Sequence, residues 1–234
     1  MGKIKGTGLL VTVFAAAALL LGGCAGSYQA RSVDIKDSPL VNPALFTEGT
    51  GDQALYRYVK PGVDVKQYDK VIIDPVMIMK DGEMSQSDRE NYQNLANNAF
   101  VYLKEALEKD YKIVSAPEPG AFRLQMAIID ADSSKPVRNT LSTIMPMGIG
   151  LSLVKLAATG KQSGVGEITV EMKFSDASTG DLLGAALDRR VGGKKISELW
   201  STWSNADDAL KFWAKKLAFV LCDMRGGTNC VKPE

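Results

Sequence analysis

Three cysteines, no histidine and a scatter of carboxylates bound the chemistry open to this 234-residue chain. Without histidine, the commonest general base and the commonest nitrogen ligand for zinc are missing. Ser-His-Asp and Cys-His mechanisms cannot be assembled, nor can a typical catalytic zinc site. Hydrolysis would have to rest on carboxylates, lysines or an oxygen-bound ion. The carboxylates are spaced like strand ends and turns. Asp130-x-Asp132 lacks the further alternate ligands and the closing glutamate of a calcium loop. Asp176, Asp181 and Asp188 surround a predicted hairpin, across which Glu171 and Arg190 are expected to pair as surface charges. The expectation is therefore no catalytic residue, no metal ligand, no cofactor and no enzymatic activity. The alternative of a carboxylate enzyme acting on envelope glycans would need two carboxyls about 5–9.5 Å apart in a cleft.

The cysteines speak more clearly. Lys3 and Lys5 precede an apolar run to Leu21, and Leu21-Gly22-Gly23-Cys24 follows. The run is shorter than the roughly 20 residues a spanning helix needs, and is laid out as a secretory signal. The cysteine at its end resembles the lipobox of bacterial lipoproteins. That resemblance implies cleavage of residues 1–23 and acylation (palmitate among the chains) of Cys24 as the new N-terminus. Each buried methylene would add about 0.8 kcal/mol of membrane affinity, so several chains make a stable anchor. Ala25 in place of an aspartate implies sorting to the outer membrane, facing the periplasm. Cys222 and Cys230 then form an even pair in an exported protein, which points to a disulfide. A loop this short is worth roughly 2–3 kcal/mol.

Charge is nearly balanced, with 28 basic and 27 acidic residues; loss of Lys3 and Lys5 with the leader would leave 26 against 27. No concentrated basic face suits nucleic acid.

Residues 24–66 carry weak periodicity broken by proline and glycine, and read as a lipid-anchored tether packing in part on the domain, with a short strand at 55–59. Residues 67–234 read as one periplasmic α+β domain. Val71–Ile73 form a strand ending at Asp74-Pro75, with Val76–Met79 resuming it. Ser87 and Glu90 have capping-box spacing for a helix whose apolar face runs from Tyr92 to Leu107; Tyr92 and Tyr102 are expected in its core or boundary. Strands follow at 111–114 and 122–128. Ile168, Val170, Met172 and Phe174 alternate with polar residues, predicting a strand with one solvated face. Leu183, Ala185 and Leu187 carry its hairpin partner. A last helix starts near Ser204 or Asn205, buries a stripe from Ala206 through Val220 and Leu221, turns Lys211, Lys215 and Lys216 away, and is capped by Gly226. The order is β-α-β-β, an apolar insert, then β-β-α. A mixed or antiparallel sheet is expected, with both amphipathic helices on one face.

The insert, residues 141–159, is strongly apolar without a single period. It is expected either to pack as a buried crossover or to expose Leu141, Ile144, Met145, Met147, Ile149, Leu151 and Leu153 as an interface. Gly148-x-Gly150 and Gly164-x-Gly166 lack the strand-loop-helix setting of a phosphate loop.

The stretches LYRYVKPGVDVKQYDKVIIDPV, VGEITVEMKFSDASTGDLLGAALDRR and DDALKFWAKKL resemble a family of bacterial lipoproteins named only as a domain of unknown function, number 3313. The resemblance spans Leu55 to Leu221 together with the lipobox. It implies location and fold and brings no catalytic residue. The leading expectation is an outer-membrane lipoprotein acting as a non-enzymatic binding or envelope-assembly module. Its partners would be the membrane, through acylated Cys24, and an unidentified envelope protein. A homo-oligomeric secretion or pore component using residues 141–159 is the alternative.

Overall fold

The computed structural model describes residues 28–30, 32–33, 35–80, 83–130, 167–191 and 202–233. The leader, Cys24, Asp132, both Gly-x-Gly pairs and the interface residues expected in 141–159 lie outside them. Among the described residues the elements run β1 (Tyr28–Gln29), β2 (Thr47–Glu48), β3 (Tyr56–Val59), β4 (Lys70–Ile73), β5 (Met77–Lys80), α1 (Gln86–Leu107), β6 (Lys112–Ile113), β7 (Ala121–Asp130), β8 (Glu167–Asp176), β9 (Leu182–Val191) and α2 (Thr202–Met224). They form one mixed sheet ordered β2-β3-β9-β8-β7-β4-β6, with β1 also on β9 and β5 also on β7. β4 and β5 run parallel to β7, whereas β7-β8-β9-β3 are antiparallel. This is the α+β class expected from the order of elements.

Asp74-Pro75 interrupts the strand that runs alongside β7, as the missing donor of proline requires. β4 pairs with residues 121–124 of β7 and β5 resumes at 127–130. Asp74 is held in the gap by its backbone N–H, which donates to Leu124 O, and by the Arg123 guanidinium at 2.6 Å.

α1 is capped two residues earlier than predicted. Ser85, not Ser87, is the N-cap: its hydroxyl accepts from the Asp88 N–H and donates to the Asp88 carboxylate. Tyr92, Leu95, Ala96, Ala99, Leu103 and Leu107 are buried as the spacing predicts. α2 also starts earlier than expected, because Trp203 is a core residue, edge-on to Tyr92 at 4.9 Å. The two helices are joined through Asp207, whose carboxylate accepts from Asn98 and from the Tyr102 hydroxyl. At the far end, Gly226 has φ 75° and donates to Asp223 O. Cys222 and Cys230 are bridged, with Cα atoms 5.6 Å apart. A side chain at Gly227 would place its Cβ 2.6 Å from Cys222 Sγ.

The sheet is covered on both faces, unlike the expectation of one solvated side. Toward the helices lie Phe122, Leu124, Met126 and Ile128 of β7 with Ile168, Val170 and Met172 of β8. On the opposite face Ala127, Ile129 and Leu187 form a second cluster with Val33, Ile35, Leu40, Phe46 and Leu55. The cover is Val33 with residues 35–55, within the segment read as a tether; β1, β2 and β3 from the same region enter the sheet. Alternation along β8 therefore separates two buried layers, and Thr169 and Glu171 are buried rather than wet.

Candidate functional site

α2 leans on α1 and the β8 side of the sheet, leaving a gap toward β9 and β3. The gap is an apolar groove of about 670 Å³, within the usual range of roughly 300–1,000 Å³ for ligand pockets. Its floor carries a register shift and two small residues. Phe174 pairs with Gly184, but the next residue, Ser175, pairs with Leu182, so Leu183 is an extra residue in β9. Leu183, Ala185 and Leu187 accordingly do not share a face: Leu183 packs with the helix-side core and Leu187 with the opposite cluster. Small Gly184 and Ala186 are left beneath the helix, opposite Phe174 and Met172. Trp213, Lys216, Leu217, Val220, Leu221 and Met224 of α2 line the other wall, and Tyr68, Tyr111 and Phe122 line one end. Phe122 meets both tyrosines edge-on, at 6.1 and 5.2 Å.

Two expectations for α2 change here. Val220, predicted on the buried stripe, is 37% exposed at the groove rim. Lys216, predicted to face away, has a side chain only 16% exposed and lies 2.8 Å from the Asp52 carboxylate. Lys232 reaches the same carboxylate, also at 2.8 Å. The two ammonium groups hold Asp52 well below the usual carboxylate range.

The polar end of the groove is built on Asp188. Its Oδ1 accepts from Gln29 Nε2 and the Leu55 N–H, and its Oδ2 accepts from Trp213 Nε1. One side chain thus clasps β1, the covering segment and α2. Beside it, the Arg190 guanidinium stacks 3.6 Å from the Phe212 ring centre. The expected Glu171–Arg190 pair is not formed. Arg190 is registered with Ile168 on the helix side, whereas Glu171 is registered with Leu187 on the other.

Glu171 is fully buried, at 0% exposure. Its Oε2 accepts from the Leu40 N–H, and Ser38 Oγ lies 2.9 Å from Oε1 and 2.7 Å from Val41 O. The Ser38 hydroxyl has one proton for two oxygens. A protonated Glu171 completes the chain by donating to Ser38 while Ser38 donates to Val41. Burial pushes the Glu171 carboxyl up to about 7, against the opposing pull of its hydrogen bonds and of Lys173. Asp188 and Glu171 were missed as buried groups in sequence because their partners lie far along the chain. Asp176, by contrast, does what its turn spacing predicts, accepting from the Ser178 and Thr179 N–H groups.

Among the described residues no group of three or more potential ligands could hold a metal, and no helix is long and apolar enough to cross a membrane.

Fold and groove define an α+β domain with an apolar cleft between a helix and a mixed sheet. The chain belongs to the family described as "Protein of unknown function (DUF3313)", whose model matches residues 36–217. No curated protein matches it. Among solved structures, the PelC dodecamer from Paraburkholderia phytofirmans is 14% identical, with 74% of this chain and 96% of that chain covered and a TM-score of 0.34. A DUF4136 family protein from Bacteroides thetaiotaomicron VPI-5482 is 15% identical, with coverages of 75% and 98% and a TM-score of 0.37. A candidate lipoprotein of Caulobacter crescentus CB15 is 11% identical, with coverages of 64% and 92% and a TM-score of 0.31. At these TM-scores the likenesses carry no functional weight.

Proposed function

We infer that this protein is a lipid-anchored envelope protein, held by acylated Cys24 at the periplasmic face of the outer membrane. It acts there as a non-enzymatic binding module whose ligand occupies the groove between α2 and β9. The observation that carries this reading is the groove: a preformed apolar cavity with a few converging polar groups is the usual form of a ligand site. The role of the deep carboxylates supports a binding rather than a catalytic site. Both oxygens of Asp188 and both of Glu171 are engaged in holding elements together.

Two measurements on the full-length protein test the reading. The mature N-terminal peptide should begin at Cys24 and carry the mass of its acyl chains, and the protein should sediment with outer membranes. An environment-sensitive apolar dye should bind the purified protein and lose affinity in Val220→Glu. A soluble mature protein starting elsewhere would overturn the anchor. Dye binding unchanged by the charge at position 220 would overturn the groove.

A further inference from the structure

We propose that the groove under α2 takes one acyl chain of a phospholipid from the bilayer that carries the protein, with the lipid phosphate held at a rim formed by Lys216, Lys232 and Arg57. This rests on the anchored binding reading above and names its ligand.

Chain length places the groove at the lipid. β1 begins at Tyr28, four residues after Cys24. At no more than roughly 3.3–3.6 Å per residue, an acylated Cys24 stays within about 14 Å of Tyr28. Gln29, the next residue, lines the groove. The polar end of the groove and the membrane surface are therefore neighbours by covalent geometry.

Size and shape select a hydrocarbon chain. α2 lines the groove from Phe212 to Met224, which at about 1.5 Å per residue is ~18 Å. One leaflet of a bilayer core about 30 Å thick is ~15 Å deep, so a single extended chain fits the length. Val59, Val220 and Met224, each exposed by more than a third, form an apolar rim along that path.

Charge selects a phosphate. Lys216 and Lys232 share one carboxylate, Asp52. Of the other carboxylates on the groove, Asp188 is taken up by Gln29, Leu55 and Trp213, and the exposed Asp223 pairs with neither lysine, so a positive charge is left over where the two lysines meet. Arg57 is registered with Ala186 on the groove side of β3 and makes no ion pair among the described residues. A neutral lipid, including the acyl groups on Cys24 itself, would leave that surplus unanswered; a phosphodiester meets it.

The test places the full-length protein in vesicles of phosphatidylcholine containing a minor share of phosphatidylglycerol with a photoactivatable acyl chain. After irradiation, adducts are mapped by mass spectrometry and the N-terminal peptide is weighed in the same digest. Adducts are expected on the 212–224 stretch of α2 and on β9. They should fall at least ~tenfold in Val220→Glu, a surface change that puts a charge in the chain's path. Arg57→Glu should lower them as well. Adducts confined to other regions, unchanged yields in Val220→Glu, or equal yields from a photoactivatable diacylglycerol lacking phosphate would overturn the proposal. The N-terminal mass separates the two readings. An unmodified N-terminus with groove adducts would sink the anchor and spare the ligand. An acylated N-terminus with dye binding but no phospholipid adduct would do the reverse.

Discussion

On one side of the sheet, Ala127, Ile129 and Leu187 are sealed beneath Val33 and residues 35–55. On the other, Gly184 and Ala186 look across about 670 Å³ of space at α2. Both sides use residues of the same strands, β7 to β9, so strand composition does not explain the difference. The covering segment has only short elements, 3-10 turns at Ile35–Asp37 and Pro43–Leu45 and the two-residue β2, and can follow the sheet closely. It is fastened at points by hydrogen bonds to buried carboxylates, Glu171 on its Ser38–Val41 stretch and Asp188 at Leu55. A straight helix 23 residues long cannot follow a twisted sheet. It meets α1 well and parts from β9. Sealing is the work of the irregular layer, and vacancy is the consequence of the regular one.

The largest effect expected from this contrast is on the sealed side. Leu187→Ala, at a site with no exposure, should lower unfolding free energy by about 2–5 kcal/mol in chemical denaturation. A cost under 1 kcal/mol would mean that the covering segment does not pack as described.

Glu171→Gln comes next, with the opposite sign. The amide reproduces the protonated acid, donating to Ser38 and accepting from Leu40. The native carboxyl titrates near 7 when folded against 4.5 ordinarily. Folding therefore retains a proton between those values. The stabilisation it brings is full below about 4.5 and is lost as pH rises through 7. The variant should match the native protein at pH 4 and exceed it by about 3 kcal/mol at pH 8. A pH-independent difference between the two would contradict a protonated Glu171.

A matched pair sharpens the comparison further. Ala127→Leu on the sealed side should cost about 1–3 kcal/mol by overpacking. Ala186→Leu, pointing into the groove, should cost less than ~1 kcal/mol while weakening dye binding. Equal costs would mean the groove is not open.

The smallest effect concerns neither face. Ser85→Ala should cost about 1 kcal/mol, and Ser87→Ala close to nothing, by thermal unfolding. Reversed values would restore the later helix start.

Period and punctuation made the elements readable in sequence. The Asp74-Pro75 break, the 176–181 turn, the α1 core face, the Gly226 cap and the cysteine pair all depend on neighbours within a few residues. What stayed hidden depends on distance. Glu171 lies 133 residues from Ser38, and nothing local distinguishes a glutamate facing water from one facing a cover strand. Trp203 and Ser85 displaced helix starts because buried aromatic packing and a Ser-Asp cap competed with signals only two residues away. Val220 and Lys216 were placed by a helical wheel that assumes one continuous partner. α2 has a second, partial one, and the groove opens where that partner is missing.

The extra residue at Leu183 bears on how this site tolerates deletion. Because Leu182 already pairs with Ser175 and Gly184 with Phe174, loss of the one codon between them would straighten β9 and leave glycine and alanine in place beneath α2. The floor of the site is thus insulated from a single-residue deletion, which would remove only one leucine from its wall, with no change to either helix, to the rim cations or to the anchor.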